Sequence, residues 1–138
     1  MYPLHITTPM KADLVDIGFE DLTTTDQVDD IITNTEGTVF IVINSVCGCA
    51  AGNARPAAKL AMQYANKKPD KFATVFAGVD TAATNQVRKY TLPYPPSSPS
   101  MALFKDGKLV HFVERHQIEG VAAQVIARHL LTAFEEYC

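Results

Sequence analysis

Between Thr38 and Asn44 the chain reads TVFIVIN, seven residues dominated by Val, Ile and Phe with no clean polar alternation. An alternating strand buries one face, so this continuous run predicts a strand buried on both faces of a sheet and ending at Asn44. Two helices precede it. Thr8 and Pro9 predict a helix start, with Thr8 as N-cap and Pro9 in the first helical position. Met10, Leu14 and Ile17 then give a partial apolar face as far as Gly18. Thr24 with Gln27 three residues later makes a capping box. Val28, Ile31 and Ile32 follow at helical spacing, with Gly37 just past the end.

After Asn44 the pattern changes. Ser45-Val46-Cys47-Gly48-Cys49 leads through Ala50–Arg55 into PAAKLAMQYA, mostly good helix formers. Lys67–Asp70 then reads as a turn, Phe72–Val79 as a strand and Thr81–Tyr90 as a helix. The proline-rich stretch Leu92–Ser100 looks in isolation like a linker, but it feeds Met101–Phe104, Asp106-Gly107 and Lys108–Val113, the pattern of a hairpin with a D-G turn. A closing helix is predicted from about Ile118 to Glu136, with Ile118, Val121, Ala122, Val125 and Ile126 on one face and Leu130 and Phe134 continuing it. A βαβ unit, an intervening helix, a β-hairpin and a terminal helix is the order of a thioredoxin-like α/β fold, with a central mixed sheet flanked by helices. The expected organisation is a single domain over 1–138, carrying an N-terminal helical extension over about 8–36.

That order puts Cys47 and Cys49 where a strand turns into a helix. The first helical turn offers unpaired N–H groups and the positive end of the helix dipole, which favour a thiolate and predict a lowered pKa for Cys47. Side chains two apart on a helix diverge, so a Cys47–Cys49 bridge is expected to be strained, with Gly48 relieving part of the strain. This favours an oxidising or isomerising role, or chemistry in which Cys49 is dispensable, over a general reductase. Two other readings stand beside it: a structural cysteine pair, and a Zn or Cu(I) carrier in which a histidine joins the thiolates. No C-x-x-C or H-x₃-H partner motif accompanies the pair, against a closed four-ligand metal site. His5, His111, His116 and His129 read as surface or packing residues, and Cys138 ends the chain.

Composition narrows the partners. The 138 residues suit one domain, and 47% hydrophobic with 20% charged residues is an ordinary globular balance. The net charge of −3 is scattered, and no basic stripe points to nucleic acid. No basic segment followed by an apolar one opens the chain, and no apolar run approaches the ~20 residues of a membrane span, so a cytoplasmic location is expected. In that reducing compartment, three cysteines are not a structural disulfide framework.

The runs NSVCGCAAG (Asn44–Gly52), ARPA (Ala54–Ala57) and PSSPSMAL (Pro96–Leu103) resemble the bacilliredoxin A/B family. His111-Phe112, Arg115-His116 and Ile118-Glu119-Gly120 extend the likeness over nearly the whole chain. The resemblance implies a thiol-disulfide oxidoreductase that removes bacillithiol, a cysteine-containing glucosamine-malate thiol, from mixed disulfides on proteins. By that likeness Cys47 matches the nucleophile and Cys49 the resolving cysteine, and Pro99 matches the cis-proline that lies beside the dithiol. Gly48, Arg55, Ser98 and Pro99 are the candidate substrate-contacting residues, with Arg55 the candidate cation for the anionic malate and a solvated or helix-stabilising arginine its alternative. No metal or cofactor is expected beyond bacillithiol as co-substrate. The partners implied are bacillithiolated proteins, bacillithiol and a bacillithiol-disulfide reductase. A general protein disulfide isomerase or oxidase is the alternative enzyme, and a thiolate metal carrier the non-enzyme one.

Overall fold

The computed structural model describes residues Tyr2–Cys138. In chain order the elements are α1 (Leu4–Val15), β1 (Glu20–Asp21), α2 (Thr25–Asn34), β2 (Thr38–Asn44), α3 (Arg55–Tyr64), β3 (Lys71–Phe76), α4 (Thr81–Tyr90), β4 (Ser100–Lys105), β5 (Lys108–Val113) and α5 (Ala123–Tyr137). The strands form one sheet in the order β1-β3-β2-β4-β5. β1 and β2 run parallel to β3, whereas β4 runs antiparallel to both β2 and β5. The mixed sheet expected from the element order is therefore present.

β2 is the central strand, and all seven of its residues are buried. Its unbroken apolar run serves two cores at once. Phe40 and Val42 face a layer built with α1, α3 and α5, while Val39, Ile41 and Ile43 face one built with α2 and α4. Phe19, Phe40, Phe72 and Phe134 meet edge to face in the first layer, with ring centroids from 5.2 to 6.4 Å apart. At α2 the capping box forms in both directions: the Thr24 hydroxyl accepts from the Gln27 N–H, and the Gln27 side chain accepts from the Thr24 N–H. The D-G turn has φ of 50° at Asp106 and 82° at Gly107, the double positive-φ signature of a type I′ hairpin.

Several boundaries differ from the sequence expectation. α1 starts at Leu4 with Pro3 as N-cap, so Pro9 lies inside the helix and Thr8 caps nothing. The carbonyl that Pro9 leaves without a partner belongs to exposed His5, where solvent can replace the bond. β3 stops at Phe76 because the chain turns there, with the N–H groups of Val79 and Asp80 bonding back to the Phe76 carbonyl. β1, two acidic residues pairing with Ala73 and Thr74, lies inside the stretch expected to be only helical. α5 begins at Ala123 rather than near Ile118. A 3-10 turn over Arg115–Gln117 precedes it, and Gly120 has φ +75°, which no continuing α-helix allows. The later start rotates the buried face to Ile126, Ala127, Leu130, Ala133 and Phe134 and leaves Val125 exposed.

Candidate active site

The site sits at the C-terminal end of β2, where open α/β sheets present their ligand crevices. Asn44 shapes the exit from the strand. Its side-chain oxygen accepts from the Ser45 N–H at 2.9 Å and from Arg55 Nη1 at 3.0 Å, and its amide donates to the Met10 carbonyl at 3.2 Å. The Cys47 carbonyl then accepts from the N–H groups of Ala50 at 3.0 Å and Ala51 at 3.2 Å. Cys47 is thus the N-cap of the helical run that follows, with its side chain over the unpaired N–H groups of the first turn. Over Ala50–Ala54 that run is π-helical, and the Arg55 N–H bonds to the Ala50 carbonyl. The hydrogen-bond register therefore changes just before Pro56, which would otherwise interrupt an α-helical ladder.

The two thiols have opposite environments. Burial pushes the Cys47 thiol up, but hydrogen bonds from Cys49, from Ser45 Oγ and from the N–H groups of Ala50 and Cys49 outweigh it, and the net shift is down. The Ser45 hydroxyl lies 3.2 Å from Cys47 Sγ. Cys49 is pushed up by burial first, then by its hydrogen bond to Cys47 and the charge there, against a smaller downward pull from Arg115. Divergence of the two side chains, expected from i, i+2 spacing, does not occur because Cys47 is the cap and not a helical residue. Both cysteines, like Cys138, are free thiols.

Cys47 opens onto a cavity of about 310 Å³, shared with Ser45, Ser98, Arg115, Arg88 and Tyr2. Arg115 Nη1 donates to the Ser98 carbonyl at 3.1 Å, and its Nε pairs with Glu119 at 3.4 Å. The charge at Cys49, the Glu119 carboxylate and the charge at Cys47 together favour the Arg115 cation. The Ser98–Pro99 peptide is cis, and so is Leu92–Pro93. Pro99 is buried behind Ser98. Gly48 is exposed, with open space where a side chain would stand.

Arg55 is a correction. Its side chain is only 6% exposed and is spent on Asn44 Oδ1, the Ser45 carbonyl at 3.0 Å and Asp13 at 3.3 Å. It braces the cysteine turn against α1 and does not line the cavity. The cations that do are Arg88 and Arg115, which local pattern could not assign: α4 and the loop after β5 reach Cys47 only through the fold. His111 and His129 pair with each other at 2.7 Å, and exposed His116 lies beside Glu114. Among the described residues no group of three or more His, Cys, Asp or Glu comes together, so the histidine ligand of the metal reading does not stand beside the cysteines.

A family described as disulphide isomerase matches residues 2–138. A bacilliredoxin of Cytophaga hutchinsonii is 55% identical over 136 residues, covering 99% of each chain. One from Bacillus cereus is 51% identical over 99% of this chain and 95% of its own. Among solved structures, Fasciola hepatica thioredoxin superposes with a TM-score of 0.60 at 20% identity, covering 87% of this chain and all of that one, a likeness of fold. The near-complete overlap with relatives sharing about half their residues, on a thioredoxin fold with a Cys-x-Cys pair at its helix start, shows that the chain belongs to the bacilliredoxin family of thiol-disulfide oxidoreductases.

Proposed function

We propose that this oxidoreductase removes bacillithiol from mixed disulfides on protein cysteines. One observation carries the reading: of the two thiols, only Cys47 lines the cavity, and it is the one made more acidic. The bacilliredoxin name of relatives at about half identity supports the choice of small thiol.

In the first step the Cys47 thiolate attacks the bacillithiol-side sulfur. A Cys47–S–S–bacillithiol bond forms, the old disulfide breaks, and the protein thiolate leaves and takes a proton from water. This step also changes Cys49. Burial still raises its pKa, but the hydrogen bond and charge from Cys47 vanish with the thiolate, while the pull of Arg115 remains. Cys49 therefore becomes more acidic once there is an adduct to resolve. Its thiolate then attacks Cys47 Sγ, forming Cys47–Cys49 and expelling bacillithiol. Alternatively, free bacillithiol attacks the adduct's bacillithiol sulfur, giving bacillithiol disulfide for a dedicated reductase and regenerating the Cys47 thiolate. A reducing cytoplasm, which keeps the three cysteines as thiols, is the setting this cycle needs.

The test is intact mass spectrometry of the reduced protein mixed with a bacillithiolated protein substrate. Bacillithiol mass on Cys47 together with free substrate thiol is the expected result. A Cys47 mixed disulfide with the substrate protein itself would instead favour isomerisation, the activity in the matched family's description.

A further inference from the structure

The cavity beside Cys47 has an unusual charge balance. Two guanidinium groups, Arg88 and Arg115, line it, and among the described residues no Asp or Glu does. Arg115 has Glu119 as a partner on its outer side. Arg88 has none: among the described residues no carboxylate forms an ion pair with it, and its buried Nε lacks any hydrogen-bond partner. It comes from the last turn of α4, on the opposite side of the sheet from the cysteine helix, so only the fold brings it to the thiol. Burial pushes its pKa down, as expected of a cation removed from water without a counter-ion. A buried donor left unpaired is costly, and an anion that accepts from it relieves the cost. At about 310 Å³ the space lies near the lower end of small-molecule sites, enough for the part of an adduct next to the reacting sulfur.

We propose that this cavity is an anion-binding subsite in which Arg88 and Arg115 hold carboxylates of the small thiol, making Arg88 a specificity-determining residue for the adduct half of the mixed disulfide. Guanidinium forks suit carboxylates, which accept two parallel N–H bonds. The malyl dicarboxylate of bacillithiol would match the Arg88 fork and the part of the Arg115 guanidinium that Ser98 and Glu119 leave free. The naming of those carboxylates rests on the debacillithiolation reading, whereas the anion site does not. The subsite also orients the attack. With the small thiol's carboxylates anchored beside Cys47, its own sulfur is the one presented, which is the choice net removal requires.

The anion site is tested by alkylating Cys47 with iodoacetate and with iodoacetamide, read at the Cys47 peptide by mass spectrometry in a Cys138→Ser background. Thiolate fraction and nucleophilicity cancel in the ratio of the two rates, leaving the preference for a carboxylate. Arg88→Gln should lower that ratio about fivefold and Arg88→Lys should largely retain it, the size expected for a charge-assisted contact. Without any substitution at Arg88, raising the ionic strength should lower it as well. A ratio unchanged within about twofold in well-folded Arg88→Gln, or insensitive to salt, overturns the site. The ligand assignment is tested separately. Arg88→Gln should raise KM about tenfold for a bacillithiolated protein, with kcat little changed, and change the uncharged 2-mercaptoethanol adduct of the same protein by less than about twofold. Equal effects on both adducts overturn the assignment to the malyl group. Failure of the wild-type protein to take bacillithiol at all would sink the proposed function, and the alkylation ratio would still decide the anion site.

Discussion

Two thiols in this chain sit at helix ends, and the ends differ. Cys47 caps the start of the helical run after β2, where its sulfur receives N–H and O–H donors. Cys138 ends α5, its N–H bonded to the Phe134 carbonyl at 2.8 Å, at the end of a helix where carbonyls and the negative pole of the dipole collect. Burial pushes the Cys138 thiol up, and the nearby Asp70 carboxylate adds to that. A hydrogen bond from Thr38 and the charges of Lys105 and Lys67 only partly offset them. The same side chain is thus made more acidic in one place by the donors around it and less acidic in the other by burial and a nearby carboxylate. Distance separates them too. Thr38 and Asn44 are opposite ends of β2, roughly 20 Å apart, so Cys138 cannot resolve an adduct on Cys47 of its own chain.

The sharpest way to break this comparison is to exchange each thiol for serine. Cys47→Ser should lower bacillithiol transfer on the order of 100-fold or more, because no other thiolate faces the cavity. Cys138→Ser should stay within about twofold of wild type, and comparable losses in both, read by intact mass, would erase the distinction. Cys49→Ser should come next: a bacillithiol adduct should accumulate on Cys47, and turnover should then depend on added bacillithiol. Arg55→Met removes the brace under the cysteine turn and its bonds to Asn44, the Ser45 carbonyl and Asp13, although Asn44 keeps the Ser45 N–H and Asp13 keeps Lys59. Since Asp13 is about a third exposed and partly rehydrates, a loss of about 2–3 kcal/mol is expected in denaturant unfolding.

Smaller effects sharpen the comparison by pH. Cys47 should alkylate with a midpoint below the free-thiol value of about 8.5 and Cys138 above it. The sign follows from the thiolate fraction. Transfer should fall as pH drops through the depressed pKa of Cys47 and should be flat where a free thiol is still titrating. Ser45→Ala removes one donor to Cys47 Sγ. It should raise the alkylation midpoint and slow transfer near neutral pH about threefold to tenfold, the range of one hydrogen bond of ~0.5–1.5 kcal/mol. An unchanged midpoint would assign the acidity to the Cys49 hydrogen bond and the helix N–H groups.

Where residues interact with neighbours in sequence, the chain could be read directly. β2 runs over Thr38–Asn44 and α4 over Thr81–Tyr90, as their patterns predict, and the Thr24–Gln27 box and the Asp106-Gly107 turn form from contacts within four residues. The ends of the chain were harder. Thr8-Pro9 carries a sound local start signal, yet α1 begins five residues earlier. The apolar periodicity around Ile118 concealed a turn that positive φ at Gly120 requires. A two-residue strand such as β1 has no pattern long enough to detect.

The same division runs through the site. Sequence alone determined that a cysteine pair stands where a buried strand meets a helix, because strand burial and helix propensity are properties of consecutive residues. That placement supplies the helix N–H share of the lowered Cys47 pKa, to which the Cys49 and Ser45 donors add. Tertiary structure decided which cation serves the site: Arg55, eight residues from the nucleophile, is turned inward to Asn44 and Asp13. Arg88 and Arg115 reach the cavity from elements far along the chain. A side chain's direction and company depend on which elements pack against it, and spacing along a helix carries no information about that.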